Sequence, residues 1–220
     1  MNLVLPVTHF KQNSNWDCGV VCLQMIIDYY HYDRSKFKTL LDNYECNHST
    51  WTIDLLHLLH QSNISAILHT ITIGCSQSYD NIPYYEKLID KDRRRVDQLF
   101  KDEAANVKLG CLPWSALKEH LVKYRTPCLV LIDANQLQCC TCQSTTWTRF
   151  VDKLLPMISS SYQGHYVLLI GFIEDETNEF IRYADPGKTD GFCTTTRENF
   201  DQARRAFGTD EDLILCYEKQ

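Results

Sequence analysis

Apolar residues recur at helical spacing in the first half of the chain. Residues 18–31 (CGVVCLQMIIDYYH) carry apolar side chains over more than a single stripe, which predicts a largely buried helix. Asp17 stands directly before this segment, where an N-cap carboxylate accepts hydrogen bonds from the first-turn amides. Residues 52–61 repeat the helical spacing and predict a second helix.

The middle of the chain, about residues 80–125, is predicted to be helical. Residues 84–106 form a long, charged amphipathic pattern, and residues 113–123 place their apolar side chains on one helix face. No internal repeat or flexible linker separates this segment from the rest, so we expect residues 1–220 to form a single domain.

The pattern changes to strands in the second half. Residues 65–73 already alternate between apolar and polar positions. Further short apolar or alternating runs lie at 127–134, 166–172, 179–185 and 213–218. Helices that precede strands are typical of the α+β class. We therefore predict amino-terminal helices packed on an antiparallel sheet that is formed mainly by the carboxyl-terminal half.

Composition narrows the function classes. The 220 residues are 44% hydrophobic, and the formal net charge is −6. An acidic chain argues against broad binding to nucleic acid or to an anionic membrane surface. No apolar run reaches the ~18 residues of a transmembrane helix, and the first residues, MNLVLPVTHFKQ, lack the pattern of a secretory signal. These features predict a cytoplasmic protein, which could also be nuclear, without nucleic-acid or membrane partners.

The chain contains 11 cysteines. An odd number without a secretory signal argues against a disulfide framework, so we expect most of the thiols to be reduced. The question is then which of them performs chemistry.

Cys18 has the most informative context. It lies in the first turn of the predicted buried helix, where unpaired amides and the helix dipole favour a thiolate. Gly19 would leave room for a substrate backbone, and Trp16 and Asp17 would line the same cleft. Gln12, just upstream, could direct its amide at a developing oxyanion. The alternative for Cys18 is a buried thiol that serves packing alone.

His165 is the candidate general base. It follows Gly164, which predicts a turn and is a further candidate to line the substrate cleft. His165 itself begins a buried strand that would hold the ring firmly. Asp185 ends the next strand, and a hairpin between the two strands would bring its carboxylate to His165. A structural histidine and a turn-forming aspartate before proline remain the alternatives. Taken together, the four residues predict a nucleophile, a base, an orienting carboxylate and an oxyanion donor.

Three segments carry a resemblance to a known group of enzymes. QNSNWDCGVVCLQM, GHYVLLIGF and YADPG resemble the papain-like cysteine peptidases, in particular the C39-like group. The resemblance implies a papain-like fold in which Cys18 is the nucleophile, His165 the base, Asp185 the orienting residue and Gln12 the oxyanion donor. It implies cleavage of an amide or isopeptide-type bond in a peptide or protein, without a cofactor. Val20–Val21 depart from the small residues that often follow DCG in this group.

A second resemblance covers nearly the whole chain. NWDCGVVC, WTIDLLHLL, YYEKLIDKDRRRVDQLF, YQGHYVLLIGF and FGTDEDLILCYE are similar to the eukaryotic guanylyl-cyclase-domain-containing family, which includes plant soluble guanylyl cyclase-like proteins. This resemblance implies conversion of GTP to cyclic GMP with Mg²⁺ or Mn²⁺.

The residues themselves favour the thiol chemistry. The chain has no GxxxxGK[ST] phosphate loop. Four aspartates could be nominated for a two-metal site, but their spacing does not single them out: Asp133, Asp175, Asp210 and Asp212. We therefore take a thiol-dependent hydrolase as the main hypothesis and a guanylyl cyclase as its alternative. A catalytically inactive binding module on the peptidase fold is the third hypothesis.

The motif QCCTCQ raises a separate question about metal. Cys139 and Cys142 have the spacing of half a zinc site, and no second pair of that kind completes it. Cys193, Cys128 or His120 could approach in space. Our prediction is reduced loop thiols without a metal, and a zinc site is the alternative.

Overall fold

A helix buried on almost every face, α1 (Cys18–Tyr29), lies at the centre of the computed structural model. The model describes residues 2–44, 50–75, 83–142, 162–189 and 191–217, without the side chains of 83–91. Helix α1 contacts two neighbouring helices and the central strands of the sheet. Burial of its wide apolar surface is the main reason that this segment is helical.

The other helices pack against α1, against one another or against the sheet. They are α2 (Arg34–Asp42), α3 (Thr52–Gln61), α4 (Pro83–Asp102), α5 (Trp114–Tyr124) and α6 (Arg197–Arg204), with a 3₁₀ turn at Ala104–Asn106. The predictions for 52–61 and 113–123 are confirmed, the second with a shift of one residue. The predicted helix 84–106 ends as an α-helix at Asp102, and residues 80–82 of the predicted middle segment lie outside the described residues.

Eight strands of the described residues form one sheet. They are β1 (Leu3–Val4), β2 (Ser65–Thr70), β3 (Val107–Leu109), β4 (Cys128–Asp133), β5 (Gly164–Glu174), β6 (Glu179–Ala184), β7 (Phe192–Thr196) and β8 (Leu213–Tyr217). Their order is β3-β2-β8-β4-β5-β6-β7, and β1 pairs with β5. The α+β class is confirmed.

The prediction of a purely antiparallel sheet is wrong at one edge. Strands β2 and β3 are parallel, with Leu68 opposite Val107. Helix α4 connects these two strands, and a crossover connection of this kind is what parallel neighbours require. Strand β3 also interrupts the middle segment that the sequence predicted to be helical. The sheet is therefore mixed.

The centre of the sheet places the polar ends of three strands close together. All residues of β4 are buried, and β5 is buried from Tyr166 to Phe172. Strand β5 pairs with both β4 and β6, so that Ile132 lies opposite His165 and Leu168 lies opposite Ala184. The antiparallel hairpin brings the start of β5 next to the end of β6. No helix among the described residues has the length and apolar character that crossing a membrane requires.

Candidate active site

Cys18 is the first residue of α1 and lies against the start of β5. Its side chain is almost buried, with 6% of the residue exposed. Its thiol lies close enough to the His165 imidazole to contribute to the raised pKa of that ring. The backbone N–H of Cys18 belongs to the first helical turn, whose amides have no partner inside the helix.

His165 connects Cys18 to Asp185. The Nε2 atom of His165 lies 2.7 Å from Oδ1 of Asp185. With Nε2 engaged in this way, Nδ1 is the ring nitrogen that is left for Cys18. The backbone N–H of Gly187 donates to the same Oδ1 atom at 2.8 Å. The carboxylate is thus fixed by the turn that follows β6, and in turn it fixes the ring.

The charges around the ring favour an imidazolium. Burial of His165 opposes its charged form, but hydrogen bonds to Asp185 and Cys18 outweigh burial and raise the pKa of His165 to about 9. Burial likewise opposes ionisation of Asp185, and the hydrogen bond from His165 lowers the pKa of that carboxyl below its ordinary value. Cys22, one helical turn from Cys18, differs: burial and the nearby charges of Cys18 and Asp185 raise its pKa.

Gln12 lies beside this histidine. Its backbone N–H donates to the carbonyl of Pro186 at 2.8 Å, which attaches the segment before α1 to the turn after β6. A Cβ atom added at Gly187 would lie 3.5 Å from Gln12 Oε1 and 3.6 Å from His165 Cε1. The Nε2 atom donates to the Ser14 carbonyl at 2.6 Å, which uses one of its two hydrogens. The Nε2 atom has a second hydrogen, and Oε1 is buried without a hydrogen-bond partner among the described residues.

Asp17 occupies the N-cap position of α1 as predicted, but the predicted capping hydrogen bonds of its carboxylate to the first-turn amides are absent. Its carboxylate instead accepts from the backbone N–H groups of Asn13 and Ser14, at 3.2 and 3.1 Å. The dihedral angles of Asp17 are also not those of an extended N-cap. Asp17 therefore shapes the loop that carries Gln12, and the half-buried Trp16 lies next to it in that loop.

The two glycines expected at a substrate cleft serve packing instead. A Cβ atom at Gly19 would lie 2.7 Å from Leu55 Cδ1 and 3.0 Å from Tyr166 Cδ2. The space beside Gly19 is thus filled from inside the protein. Gly164 is the first residue of β5, and an added Cβ would lie 2.8 Å from the Tyr162 hydroxyl oxygen. Gly164 therefore lies in a strand, not a turn.

Three thiols form a second cluster, which does not include His165. The Sγ atoms of Cys139, Cys142 and Cys193 all lie within 4.8 Å of one another. The other two candidate partners are elsewhere: Cys128 is buried in β4, and His120 Nε2 lies 3.0 Å from Thr126 Oγ1. Sequence reasoning proposed Cys193 only as one of several partners, because no local motif marks it.

A pair of carboxylates that sequence reasoning could not single out lies before β8. Thr72 Oγ1 donates to Asp210 Oδ1 at 2.7 Å, and the Thr52 hydroxyl donates to Asp212. Thr52 Oγ1 also lies 2.9 Å from the Tyr166 hydroxyl, next in sequence to His165. Burial and the charge of Asp210 raise the pKa of Asp212 to about 7. This network links the pair to the strand that carries the base.

Comparisons with known proteins match almost the whole chain. Residues 7–216 match the family model described as guanylylate cyclase. The chain belongs to this family. It is also similar to "Guanylyl cyclase 1" of Arabidopsis thaliana, with 28% identity over 215 residues that cover 96% of this chain and 75% of the plant protein. Both matches include the segments that carry Gln12, Cys18, His165 and Asp185.

The guanylylate cyclase family name implies GTP and, with it, divalent metal ions. Within the parts of the chain that the structure describes, the thiol cluster is the one group of three or more metal-ligating side chains. Thiolates are poor ligands for Mg²⁺ or Mn²⁺. Asp133 accepts from the amides of Asn135 and Gln163, and Asp175 accepts from turn amides. Asp133 and Asp175 are thus engaged by backbone amides, whereas Asp210 and Asp212 form the pair of carboxylates before β8.

Proposed function

We propose that the protein is a thiol-dependent hydrolase with a single papain-like domain that cleaves an amide or isopeptide-type bond. The observation that supports this most directly is the position of His165 between the Cys18 thiol and the Asp185 carboxylate. A nucleophile, a base and a group that orients the base are the minimum set for covalent acyl transfer.

The first half of the reaction forms an acyl-enzyme. His165 takes the proton of the Cys18 thiol, and the thiolate attacks the carbonyl carbon of the substrate. Charge develops on the carbonyl oxygen, which accepts hydrogen bonds from the second Nε2 hydrogen of Gln12 and from the backbone N–H of Cys18. His165 then gives its proton to the leaving amine, the carbon–nitrogen bond breaks, and an acyl-thioester remains on Cys18.

The second half regenerates the thiol. His165 accepts a proton from water, the resulting hydroxide attacks the thioester carbon, and the carbon–sulfur bond breaks. The proton returns to the Cys18 sulfur and the carboxylic acid product leaves. Asp185 stays ionised throughout and holds the ring in orientation. A peptide or protein is the substrate class that this chemistry takes, and the chain's own groups and water balance every step.

Alkylation with iodoacetamide followed by peptide mapping tests the nucleophile. We expect Cys18 to be modified faster than the exposed Cys111 and Cys140 although it is nearly buried, and His165→Ala should slow modification of Cys18 alone. Cys111→Ala is the matched control and should leave Cys18 unchanged. Equal or slower modification of Cys18 would contradict an activated nucleophile and would favour a non-catalytic binding module.

A second candidate function, guanylyl cyclase, is supported by the family match and by the name of the Arabidopsis relative. Formation of cyclic GMP from GTP with Mg²⁺ or Mn²⁺ tests it in the wild type, in Cys18→Ala and in Asp212→Asn. Turnover that persists in Cys18→Ala and falls in Asp212→Asn, with both variants folded, would favour the cyclase. No cyclic GMP from the wild type would rule against it.

A further inference from the structure

The cluster of Cys139, Cys142 and Cys193 contains none of the catalytic candidates. Cys139 and Cys142 belong to the loop that follows β4, and Cys193 belongs to β7, the strand at one edge of the sheet. We propose that these three thiols bind a zinc ion that ties the loop to this edge strand.

The sulfur positions fit such an ion. The three Sγ atoms lie within 4.8 Å of one another, and those of Cys142 and Cys193 are 3.4 Å apart. Tetrahedral zinc with Zn–S bonds of about 2.3 Å places its sulfurs roughly 3.8 Å apart. Side-chain shifts of well under ~1 Å would therefore bring all three sulfurs to bonding distance.

The backbone around Cys139 already accommodates a ligating sulfur. The N–H of Cys142 points to Cys139 Sγ at 3.2 Å, and Thr141 Oγ1 also lies 3.2 Å from that sulfur. Donors of this kind stabilise a thiolate and orient it toward a metal. The Cys-x-x-Cys spacing makes both sulfurs of the loop converge.

Cys140 is the cysteine of the QCCTCQ motif that lies outside the cluster. It lies between the two loop ligands, yet its side chain is exposed and outside the cluster. Its backbone N–H donates to the carbonyl of Thr194 at 2.6 Å, which places the loop directly on β7. The three sulfurs therefore lie where a main-chain hydrogen bond already joins the loop to β7.

The chemistry of the site follows from its charge. Each thiol releases its proton to solvent on binding, and three thiolates with Zn²⁺ carry a net charge of −1, which the nearby Lys188 ammonium offsets. Water or another donor completes four-coordination. The backbone N–H of Asp185 donates to the carbonyl of Gly191, two residues before Cys193, so the zinc site lies close to the turn that holds the Asp185 carboxylate. Its role is structural.

Metal analysis of the full-length protein, purified under reducing conditions from zinc-supplemented cells, tests the proposal. We expect about one zinc ion per chain. Cys142→Ser and Cys193→Ser should each lose it, whereas Cys140→Ser is the matched control and should retain it. Cys18→Ala should retain it as well, which separates this site from the Cys18–His165 pair. Zinc that is absent from the wild type, retained in Cys193→Ser or lost equally from Cys140→Ser would overturn the proposal.

A second measurement needs no variant. Removal of the metal by a chelator should lower the Tm of the wild type, and Zn²⁺ but not Mg²⁺ should restore it. Replacement by Co²⁺ should give thiolate-to-metal charge-transfer bands and the strong visible bands of a tetrahedral site. A Cys142–Cys193 disulfide in protein kept under reducing conditions, visible as loss of two hydrogens in the intact mass, would contradict zinc binding.

Discussion

The Nε2 atom of His165 lies 2.7 Å from Oδ1 of Asp185, a residue twenty positions later in the chain. The β5–β6 hairpin brings the two together, and the Gly187 amide holds the same carboxylate oxygen from the other side. This contact decides which ring nitrogen is left for Cys18. It therefore leaves Nδ1 of the half-buried histidine as the nitrogen that exchanges a proton with the Cys18 thiol in the proposed mechanism.

The pKa of His165 should depend on Asp185. The ring proton signals of His165, assigned with His165→Gln, should titrate in NMR spectra with a midpoint at about 9 in the wild type. Asp185→Asn removes the carboxylate and should lower the midpoint by roughly one unit or more. Asp175→Asn, in the exposed turn between β5 and β6, is the control and should leave it unchanged.

The same shift has a consequence for stability. Because the pKa of folded His165 lies above the ordinary value of 6.5, its contribution to the free energy of unfolding is complete below pH 6.5 and is lost as the pH rises through about 9. Asp185→Asn should weaken that pH dependence. A wild-type midpoint near 6.5, or one that Asp185→Asn does not move, would contradict the charged Asp185–His165 contact.

Gln12→Ala should separate oxyanion stabilisation from nucleophile activation. Hydrolysis of an activated ester passes through an oxyanion, so we expect kcat to fall by ~10²–10³. Alkylation of Cys18 by iodoacetamide forms no oxyanion and should keep its wild-type rate. Gln24→Ala, on the exposed face of α1, is the control for both assays. If ester hydrolysis and alkylation fall together, Gln12 acts by positioning Cys18 and not by donating to an oxyanion.

Burial explains which elements the sequence could predict. Helix α3 has the predicted bounds, 52–61, and strands β4, β5, β6 and β8 lie within a few residues of their predictions, since an apolar pattern reports burial directly. Strands β1 and β3 have two and three residues, too few for a pattern. Strand β7 (FCTTT) is mostly buried, but its threonines are polar, so its sequence shows no apolar pattern. Helix α2 had a usable signal, because Asp33 accepts from the Ser35 and Lys36 amides.

The candidate site likewise contains residues that the sequence could predict and residues that it could not. Cys18, His165 and Asp185 each carry a local signature of a helix start or a strand end, and the fold brings them together. The contacts of the residues on either side of Cys18 depend on tertiary packing. The local sequence therefore does not predict what the Asp17 carboxylate binds or what fills the space beside Gly19. Cys193 could not be selected because its strand was not predicted, and the link from Asp212 through Thr52 to Tyr166 exists only after folding.

Gly19→Ala should destabilise the protein although the same change inside a helix normally stabilises it by ~0.5–1 kcal/mol. The new methyl group would lie 2.7 Å from Leu55 Cδ1 and 3.0 Å from Tyr166 Cδ2, so we expect a loss of ~1–3 kcal/mol in the free energy of unfolding by urea. Gln24→Ala is the control in the same helix. In combination with Leu55→Val, the loss should be smaller than the sum of the two single losses. A stabilising Gly19→Ala would contradict the close packing of α1.

Asp212→Asn should change how stability depends on pH. Burial and the charge of Asp210 raise the pKa of Asp212 to about 7, so the folded state holds a proton that the unfolded chain releases near pH 4. Wild-type stability from this group is present below about pH 4 and is lost as the pH rises through about 7. Between pH 4.5 and pH 6.5, Asp212→Asn should therefore gain at least ~1 kcal/mol relative to the wild type in urea unfolding. Asp175→Asn should show no such gain, and a constant difference between Asp212→Asn and the wild type across this range would contradict a buried, proton-holding carboxyl.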